Sequence, residues 1–215
     1  MTNNGGNPLV SIVILAYNGE KTIKDCLDSV LGQTYDNVEI IVVDNASTDG
    51  TKKIIVSQYE EIVSPREIRS PKIRIIQNKE NIGFAGHNIG IDSSAGKFVL
   101  CVNQDAVLKP DFVSEAVKLF QDDRVGAVQG KILKKEPTQK IIDTTGIIAF
   151  RSRRFADRGQ GEKDQGQYER TEEVFGCNGA AAFFRKGCLE DVKLGICRGT
   201  TSADRRGRSS ACGEY

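Results

Sequence analysis

Histidine, paired cysteines, long apolar runs and net charge are all scarce in this chain, and each scarcity removes a class of function. A single histidine, His87, stands among 215 residues, which is weak ground for a proton-transfer centre. The 30 Lys and Arg nearly cancel the 29 Asp and Glu, leaving a net charge of +1, so no nucleic-acid surface is expected. None of the six cysteines (Cys26, Cys101, Cys177, Cys188, Cys197, Cys212) forms a CxxC pair, and buried free thiols in a reducing cytoplasm are the simpler reading. No apolar stretch approaches the ~20 residues that span a bilayer. The first eight residues are polar, Gly-rich and uncharged, unlike a signal peptide. After the first strand, Ala16-Tyr17-Asn18-Gly19-Glu20-Lys21 supplies one glycine where a dinucleotide fingerprint needs G-x-G-x-x-G.

What is present suits one globular domain with a sizeable core: 39% of residues are hydrophobic and 27% charged. Leu9–Tyr17 is apolar on both faces, as a central parallel strand should be. Glu20–Gly32 has helical spacing at Ile23, Leu27, Val30 and Leu31, and Gly32 is a plausible stop. Val38–Val43 predicts a second strand, and Asp49-Gly50-Thr51 opens a helix with Ile54, Ile55 and Tyr59 inward. A strand at Ile73–Gln77, a helix at Gly83–Ser94, a strand at Phe98–Val102 and a helix from Pro110 to Phe120 follow. Such alternation predicts an α/β fold built on a mostly parallel sheet with right-handed crossovers.

Beyond Val125 the pattern changes. Val125–Val128 reads as a strand, Ile141–Phe150 as part of a hairpin, and Arg151–Arg170 as a long polar loop on the acceptor side. Val174–Ala182 leads through Phe183 and Phe184 into a short helix at Lys186–Val192. Residues 196–215 hold Arg198, Arg205, Arg206 and Arg208 among small residues without periodicity, which predicts a disordered tail; residues 1–8 are expected to be disordered too.

The strand ends carry the chemistry. In wound sheets, ligands bind at the carboxyl ends of strands. Tyr17 could stack on a base or cap the core, and Asn18 could shape the turn. Asp44 could accept a hydrogen bond from a pyrimidine imide, since Ser47 and Asp49 are nearer caps for the next helix. The glycines of Asn81-Ile82-Gly83-Phe84-Ala85-Gly86-His87-Asn88 permit close backbone approach before a helix whose N-terminus favours phosphate. There, helix packing or a hydrogen bond to a diphosphate suits His87 better than proton abstraction. Asn103-Gln104-Asp105 ends the fourth strand; strand alternation would point Asn103 and Asp105 the same way, toward a hard divalent cation.

Five segments in order, Val10-Ser11-Ile12-Val13-Ile14-Leu15-Ala16-Tyr17-Asn18, Val42-Val43-Asp44-Asn45-Ala46-Ser47-Thr48-Asp49-Gly50-Thr51, Asn81-Ile82-Gly83-Phe84-Ala85-Gly86, Asn103-Gln104-Asp105 and Gly176-Cys177-Asn178-Gly179-Ala180-Ala181, give the chain its resemblance. It resembles the family 2 glycosyltransferases of the GT-A fold, close to the rhamnosyltransferase-like branch, over residues 9 to about 194. The resemblance implies metal-dependent, inverting transfer from a nucleotide-diphospho-sugar, with dTDP-rhamnose the donor of that branch, to a glycan or lipid-linked acceptor. Ala16, Tyr17 and Asp44 would hold the base and ribose, with Asn18, Asn45, Asn81, Gly83 and Asn88 completing the nucleotide-sugar site. Asn103-Gln104-Asp105 would replace the family's Asp-x-Asp, Asp105 binding Mg²⁺ or Mn²⁺, and Gly179 and Ala180 would face the acceptor.

Two departures stand out. The Asn81–Asn88 stretch is one residue shorter than usual. The family also continues past a segment like Leu189-Glu190-Asp191-Val192 into an aromatic-rich stretch and a Glu-Asp motif that supplies the base, and residues 196–215 hold neither. The expectation is a domain over residues 9–195 with an incomplete acceptor side, little turnover, and apolar surface left around Phe175, Phe183 and Phe184. A base elsewhere would have to be Asp143 or a carboxylate between Asp157 and Glu173. The alternative is a non-catalytic nucleotide-sugar-binding fragment. A cytoplasmic location is expected, at the inner face of the membrane where the acceptor is lipid-linked.

Overall fold

The computed structural model describes residues 6–59, 72–136 and 138–191. Its centre is a six-stranded sheet in the order β3-β2-β1-β4-β10-β5. The strands β1 (Val10–Ala16), β2 (Val38–Asp44), β3 (Lys72–Gln77) and β4 (Phe98–Asn103) run parallel. The helices α1 (Ile23–Leu31), α2 (Thr51–Tyr59), α3 (Gly86–Asp92) and α4 (Phe112–Leu119) alternate with them along the chain. After β3 the chain returns to place β4 beside β1, so strand order reverses between those two, where wound sheets form their ligand crevice.

Strand alternation divides the core in two. Val10, Ile12, Ile14 and Ala16 of β1 join Ile23, Leu27 and Val30 of α1, Ile55 of α2 and Val113 and Ala116 of α4 on one face. Val13 and Leu15 point to the other face, with Ile41, Val43, Val99 and Cys101. That second layer is thin because α3 lies almost on the strands. A Cβ at Gly90 would stand 2.2 Å from Val13 Cγ1, and one at Gly86 would stand 2.4 Å from Leu15 Cδ1.

Several expectations need adjusting. The single helix expected over Gly83–Ser94 is a 3-10 turn at Gly83–Ala85 followed by α3, because Gly83 sits at φ +60°, outside helical geometry. Ile141–Phe150 divides between two ribbons. β7 (Ile142–Thr144) pairs with β6 (Ile132–Leu133), and β8 (Ile147–Ala149) pairs with β9 (Phe155–Asp157), a strand inside the expected polar loop. β5 (Ala127–Gln129) and β10 (Ala181–Arg185) are antiparallel to each other, and β10 runs antiparallel to β4 before α5 (Lys186–Asp191).

Of the phenylalanines expected to be uncovered, Phe183 is fully buried, edge-on to Phe98 and Phe120, and Phe184 packs partly buried on the second core. Phe175 is exposed and lies against Phe155. In the stretch expected to be disordered, Tyr35 donates to the Pro8 carbonyl at 2.6 Å and Asn37 Nδ2 to that of Asn7 at 2.6 Å, while residues 1–5 lie outside the described residues. The tail expected at 196–215 and the side chain of Tyr59 lie outside the described residues.

Candidate nucleotide-sugar site

The carboxyl ends of β1, β2 and β4 converge at the strand reversal, with the start of β10 alongside. The β1 end is a built turn. Asn18 takes φ +48°, its N–H donates to Ser47 Oγ at 3.1 Å, and its Oδ1 accepts from the Thr48 N–H at 2.9 Å. This fits the turn-shaping role expected of Asn18. Tyr17 is exposed, so its ring is free to cover a base. Ala16 is fully buried, and its carbonyl is taken by the Asn45 N–H at 2.7 Å. Its side chain belongs to the core of the sheet.

Gln104 holds the β1 and β4 ends together. Its Oε1 accepts from the Tyr17 N–H at 2.8 Å and its Nε2 donates to the Tyr17 carbonyl at 2.8 Å. A Cβ at Gly19 would lie 2.0 Å from Gln104 Oε1, so the latch requires glycine there. This two-point bond spends the Gln104 amide on positioning Tyr17.

Asp44 is buried, and its Oδ1 accepts from the Ser47 N–H at 3.0 Å while its other oxygen has no partner among the described residues. Helix capping falls to Asp49, whose carboxylate receives the N–H groups of Thr51 and Glu20. Burial would raise the Asp49 carboxyl, but hydrogen bonds from Thr51 outweigh it and hold it below the usual carboxylate range. Between the two aspartates Ala46 sits at φ +65°, an uncommon conformation for a residue with a side chain.

Asn45, expected in the nucleotide-sugar site, is spent on the loop beside it. It is 1% exposed; its Nδ2 donates to Asn81 Oδ1 at 2.7 Å and to the Gly83 carbonyl at 3.1 Å. Its Oδ1 accepts from Asn78 Nδ2 at 2.9 Å and from the Ile82 N–H at 3.2 Å. Asn81 Oδ1 also accepts from the Gly83 N–H at 2.8 Å. These asparagines pin the glycine-rich loop to the end of β2. Gly83 lies exposed on that loop and Asn88 half-buried on α3.

The strand β4 stops at Asn103, and the Ala106 N–H donates to the Asn103 carbonyl at 3.1 Å to close a turn. Asp105 lies in that turn, so strand alternation does not set its direction; it is exposed, while Asn103 is half-buried. Beneath them Cys26 donates to the Asn103 carbonyl at 3.6 Å. Burial, with a smaller contribution from the Asp105 charge, pushes the Cys26 thiol up to about 12.

The buried neighbour of this edge is His87. It is 8% exposed, and neither ring nitrogen completes a hydrogen bond. Sealed, unpaired polar atoms cost about 1–3 kcal/mol each. Burial holds the ring below the usual histidine range, opposed in part by the Asn103 side chain.

The segment before β10 completes the edge. The Asn103 N–H donates to the Ala180 carbonyl at 2.9 Å, and Gly179 is exposed next to it. Asn178 Oδ1 accepts from the Ala180 N–H at 2.9 Å, while its Nδ2 donates to Asp157 Oδ1 at 2.8 Å. Asp157 thus joins the Asn178–Ala180 segment through a long-range contact. Its signal in the sequence was only membership of a polar stretch. Asp143 stands on β7, outside the central sheet.

A family model described as glycosyl transferase family 2 matches residues 11–192. Among curated relatives, an uncharacterized glycosyltransferase of Haemophilus influenzae is 37% identical over 56% of this chain and 36% of its own length. An N-acetylglucosaminyltransferase of Mesorhizobium japonicum is 27% identical over 85% of this chain and 40% of its own. Among solved structures, a mannosyltransferase from Pyrobaculum calidifontis in complex with GDP-Man and Mn²⁺ superposes with a TM-score of 0.58 at 24% identity, covering 87% of this chain and 47% of that one. S. aureus TarS 1–349 in complex with UDP-GlcNAc gives 0.56 at 18% identity, covering 86% and 47%. The chain spans less than half the length of each of these proteins.

Proposed function

From the premise that the chain belongs to glycosyl transferase family 2, with its GT-A fold, we propose that its strand-end crevice binds a pyrimidine nucleotide-diphospho-sugar for inverting transfer to a glycan or lipid-linked hydroxyl. By the branch it resembles, dTDP-rhamnose is the donor. The observation that carries this reading is the grouping of an exposed Tyr17 ring, a buried Asp44 with an oxygen to spare, and the Asn103–Asp105 edge beside Gly179 and Ala180.

Each residue has a distinct task. Tyr17, held by Gln104 through both of its backbone polar groups, offers a flat surface to the base. Asp44 accepts the imide N–H of uracil or thymine, which cytosine and the purines do not present in the same place. Asn103 and Asp105 put an amide oxygen and a carboxylate where the diphosphate would lie. This donor set fits a hard cation. Among the described residues no three His, Cys, Asp or Glu gather to hold a metal alone, so diphosphate oxygens and water would complete the shell, as is usual for Mg²⁺. When bound, Mg²⁺ or Mn²⁺ neutralises charge on the leaving diphosphate.

On the other side, Asn178 ties the Asp157 carboxylate to the Ala180 segment, which supports Asp157 as the group that would orient an incoming hydroxyl. No helix among the described residues is long and apolar enough to cross a membrane, so a lipid-linked acceptor would be met at a surface.

Calorimetry tests this reading. dTDP or UDP with Mg²⁺ or Mn²⁺ should bind more tightly than CDP or GDP, and chelation should weaken binding. A preference for purine nucleotides, or affinity indifferent to chelation, would overturn the assignment. Donor binding with no sugar transferred to any glycan acceptor would leave the non-catalytic binding fragment as the function.

A further inference from the structure

The β8–β9 ribbon turns through Phe150-Arg151-Ser152-Arg153-Arg154-Phe155, a run for which the donor site has no use. Every residue from Ala149 to Ala156 is exposed, so neither face of the ribbon packs on the domain there. The tip is nonetheless closed. The Phe150 N–H donates to the Arg154 carbonyl at 2.8 Å, and the Arg153 N–H donates to the Phe150 carbonyl at 2.9 Å. Arg153 takes φ +61°, the left-handed position where such short hairpins ordinarily carry glycine. An arginine there holds a cation at the apex at a cost in backbone strain.

Phenylalanine rings flank these cations. Ala149 pairs with Phe155, so strand alternation sends Phe150 and Phe155 to opposite faces, where they are 50% and 56% exposed. Phe175, 68% exposed, widens the Phe155 side, its ring centroid 5.3 Å away. At the base of the ribbon Arg158 is paired with Glu172 at 2.9 Å. Arg151, Arg153 and Arg154 have no acidic partner among the described residues.

We propose that this hairpin docks the chain on an anionic lipid bilayer, tip first. Three unpaired cations call for an anionic partner, and rings on both faces call for an apolar layer that surrounds the tip. Anionic headgroups above acyl chains supply both. Other occupants fit less well. A second copy meeting tip to tip would oppose arginine to arginine. Residues 192–215 are themselves basic, with Lys193, Arg198, Arg205, Arg206 and Arg208 against Asp204 and Glu214. A polyanion strand would lie along one face and leave the rings of the other in water. The base of the ribbon is tied beside the strand-end crevice: the Ile147 N–H donates to the Gly176 carbonyl at 2.8 Å, and Asp157 accepts from Asn178. A docked tip therefore brings that crevice to the lipid surface. The proposal goes beyond the donor-site reading and stands without it.

The chain has no tryptophan, so Ser152→Trp sets a single reporter at the apex. With vesicles of equimolar phosphatidylglycerol and phosphatidylcholine, its emission should shift to the blue and be quenched by brominated acyl chains. In co-sedimentation, Arg151→Ser, Arg153→Ser and Arg154→Ser together should weaken binding about 100-fold, since each cation near such a surface is worth about 5-fold. Phe150→Ser with Phe155→Ser should weaken it roughly 10-fold. Both variants should keep the melting temperature and the solution affinity for dTDP of the unmodified chain, because the tip is exposed and away from the crevice residues.

Equal binding to vesicles of phosphatidylcholine alone would overturn the proposal. So would undiminished binding by the arginine variant, or an unshifted, unquenched tryptophan on vesicle-bound protein. Binding to a soluble acidic polysaccharide or RNA without binding to vesicles would also overturn it, by making the tip a polyanion site. Failure of the unmodified chain to bind dTDP would overturn the donor-site reading alone.

Discussion

The two halves of the chain build structure differently. From Val10 to Phe120, strands of six or seven residues alternate with helices, and each lies parallel to its neighbours in that half. From Ala127 to Arg185 the strands have two to five residues, and every pairing is antiparallel. The first half buries its strands on both faces, so its sequence had to be apolar and periodic. The second half is held by side-chain contacts, such as Lys131 with Asp164 at 2.9 Å and Arg158 with Glu172 at 2.9 Å, and by single strand pairings. The strand-end crevice belongs to the first kind of structure, and the Asn178–Ala180 segment beside it to the second.

The sharpest way to break this comparison is at Phe183, where the second half enters the core of the first. Phe183→Ala should cost about 3–5 kcal/mol, read by denaturant unfolding, because it empties a site enclosed by Phe98 and Phe120. A loss under about 1 kcal/mol would mean that β10 is an accessory to the sheet. Next in size, Asp105→Ala should lower metal-dependent nucleotide affinity about 100-fold while the melting temperature holds, since the carboxylate is exposed and supports no packing. Unchanged affinity in calorimetry would remove Asp105 from the site.

Asp44→Asn exchanges one acceptor oxygen for a donor amide and should reduce the preference for UDP or dTDP over CDP by about 1–3 kcal/mol. Competition binding reads this, and an unaltered preference would place base selection elsewhere. A further effect, confined to alkaline pH, concerns the buried thiols of Cys26 and Cys101. Burial pushes Cys26 and Cys101 up to about 12, so both stay protonated in the folded chain well above the ordinary thiol range. The unfolded chain loses those protons first, near pH 8.5. Their contribution is therefore complete below about pH 8.5 and is lost as pH rises toward 12, with a slope of up to about 1.4 kcal/mol per pH unit for each thiol. Across this window the unfolding free energy of the unmodified chain should fall more steeply than that of a Cys26→Ala, Cys101→Ala variant. Equal slopes would mean that the two thiols ionise as freely in the folded chain as in the unfolded one.

Legibility in the sequence followed the same division. The strands β1, β2 and β4 were readable because a strand buried on both faces must be continuously apolar, and Ile12, Ile14, Leu100 and Val102 leave no other reading. Tyr17, Asp44 and Asp105 could be picked out as polar residues closing such strands. Asn45 and Gln104 could not be sorted from them. An amide that binds a ligand and an amide that ties two loops look alike in one dimension, and partners such as Tyr17, 87 residues from Gln104, are set by folding. The short strands β7 to β9 fell within an expected hairpin and loop, and β6 within no expected element, because two or three residues carry no measurable period.

By itself the sequence determined the α/β class, the parallel sheet and the positions where polar strand ends meet a crevice, because burial on both faces and period-2 alternation are local demands on residue type. Only the tertiary structure decided which polar side chains are spent on the scaffold and which are left for chemistry. It closed Asn45 into the loop network, set Gln104 on Tyr17, joined Asp157 to the Ala180 segment through Asn178, and left the His87 ring nitrogens unpaired among the described residues. The physical reason is that a hydrogen bond depends on distance and direction between groups that the chain brings together from far apart, and no local pattern records those.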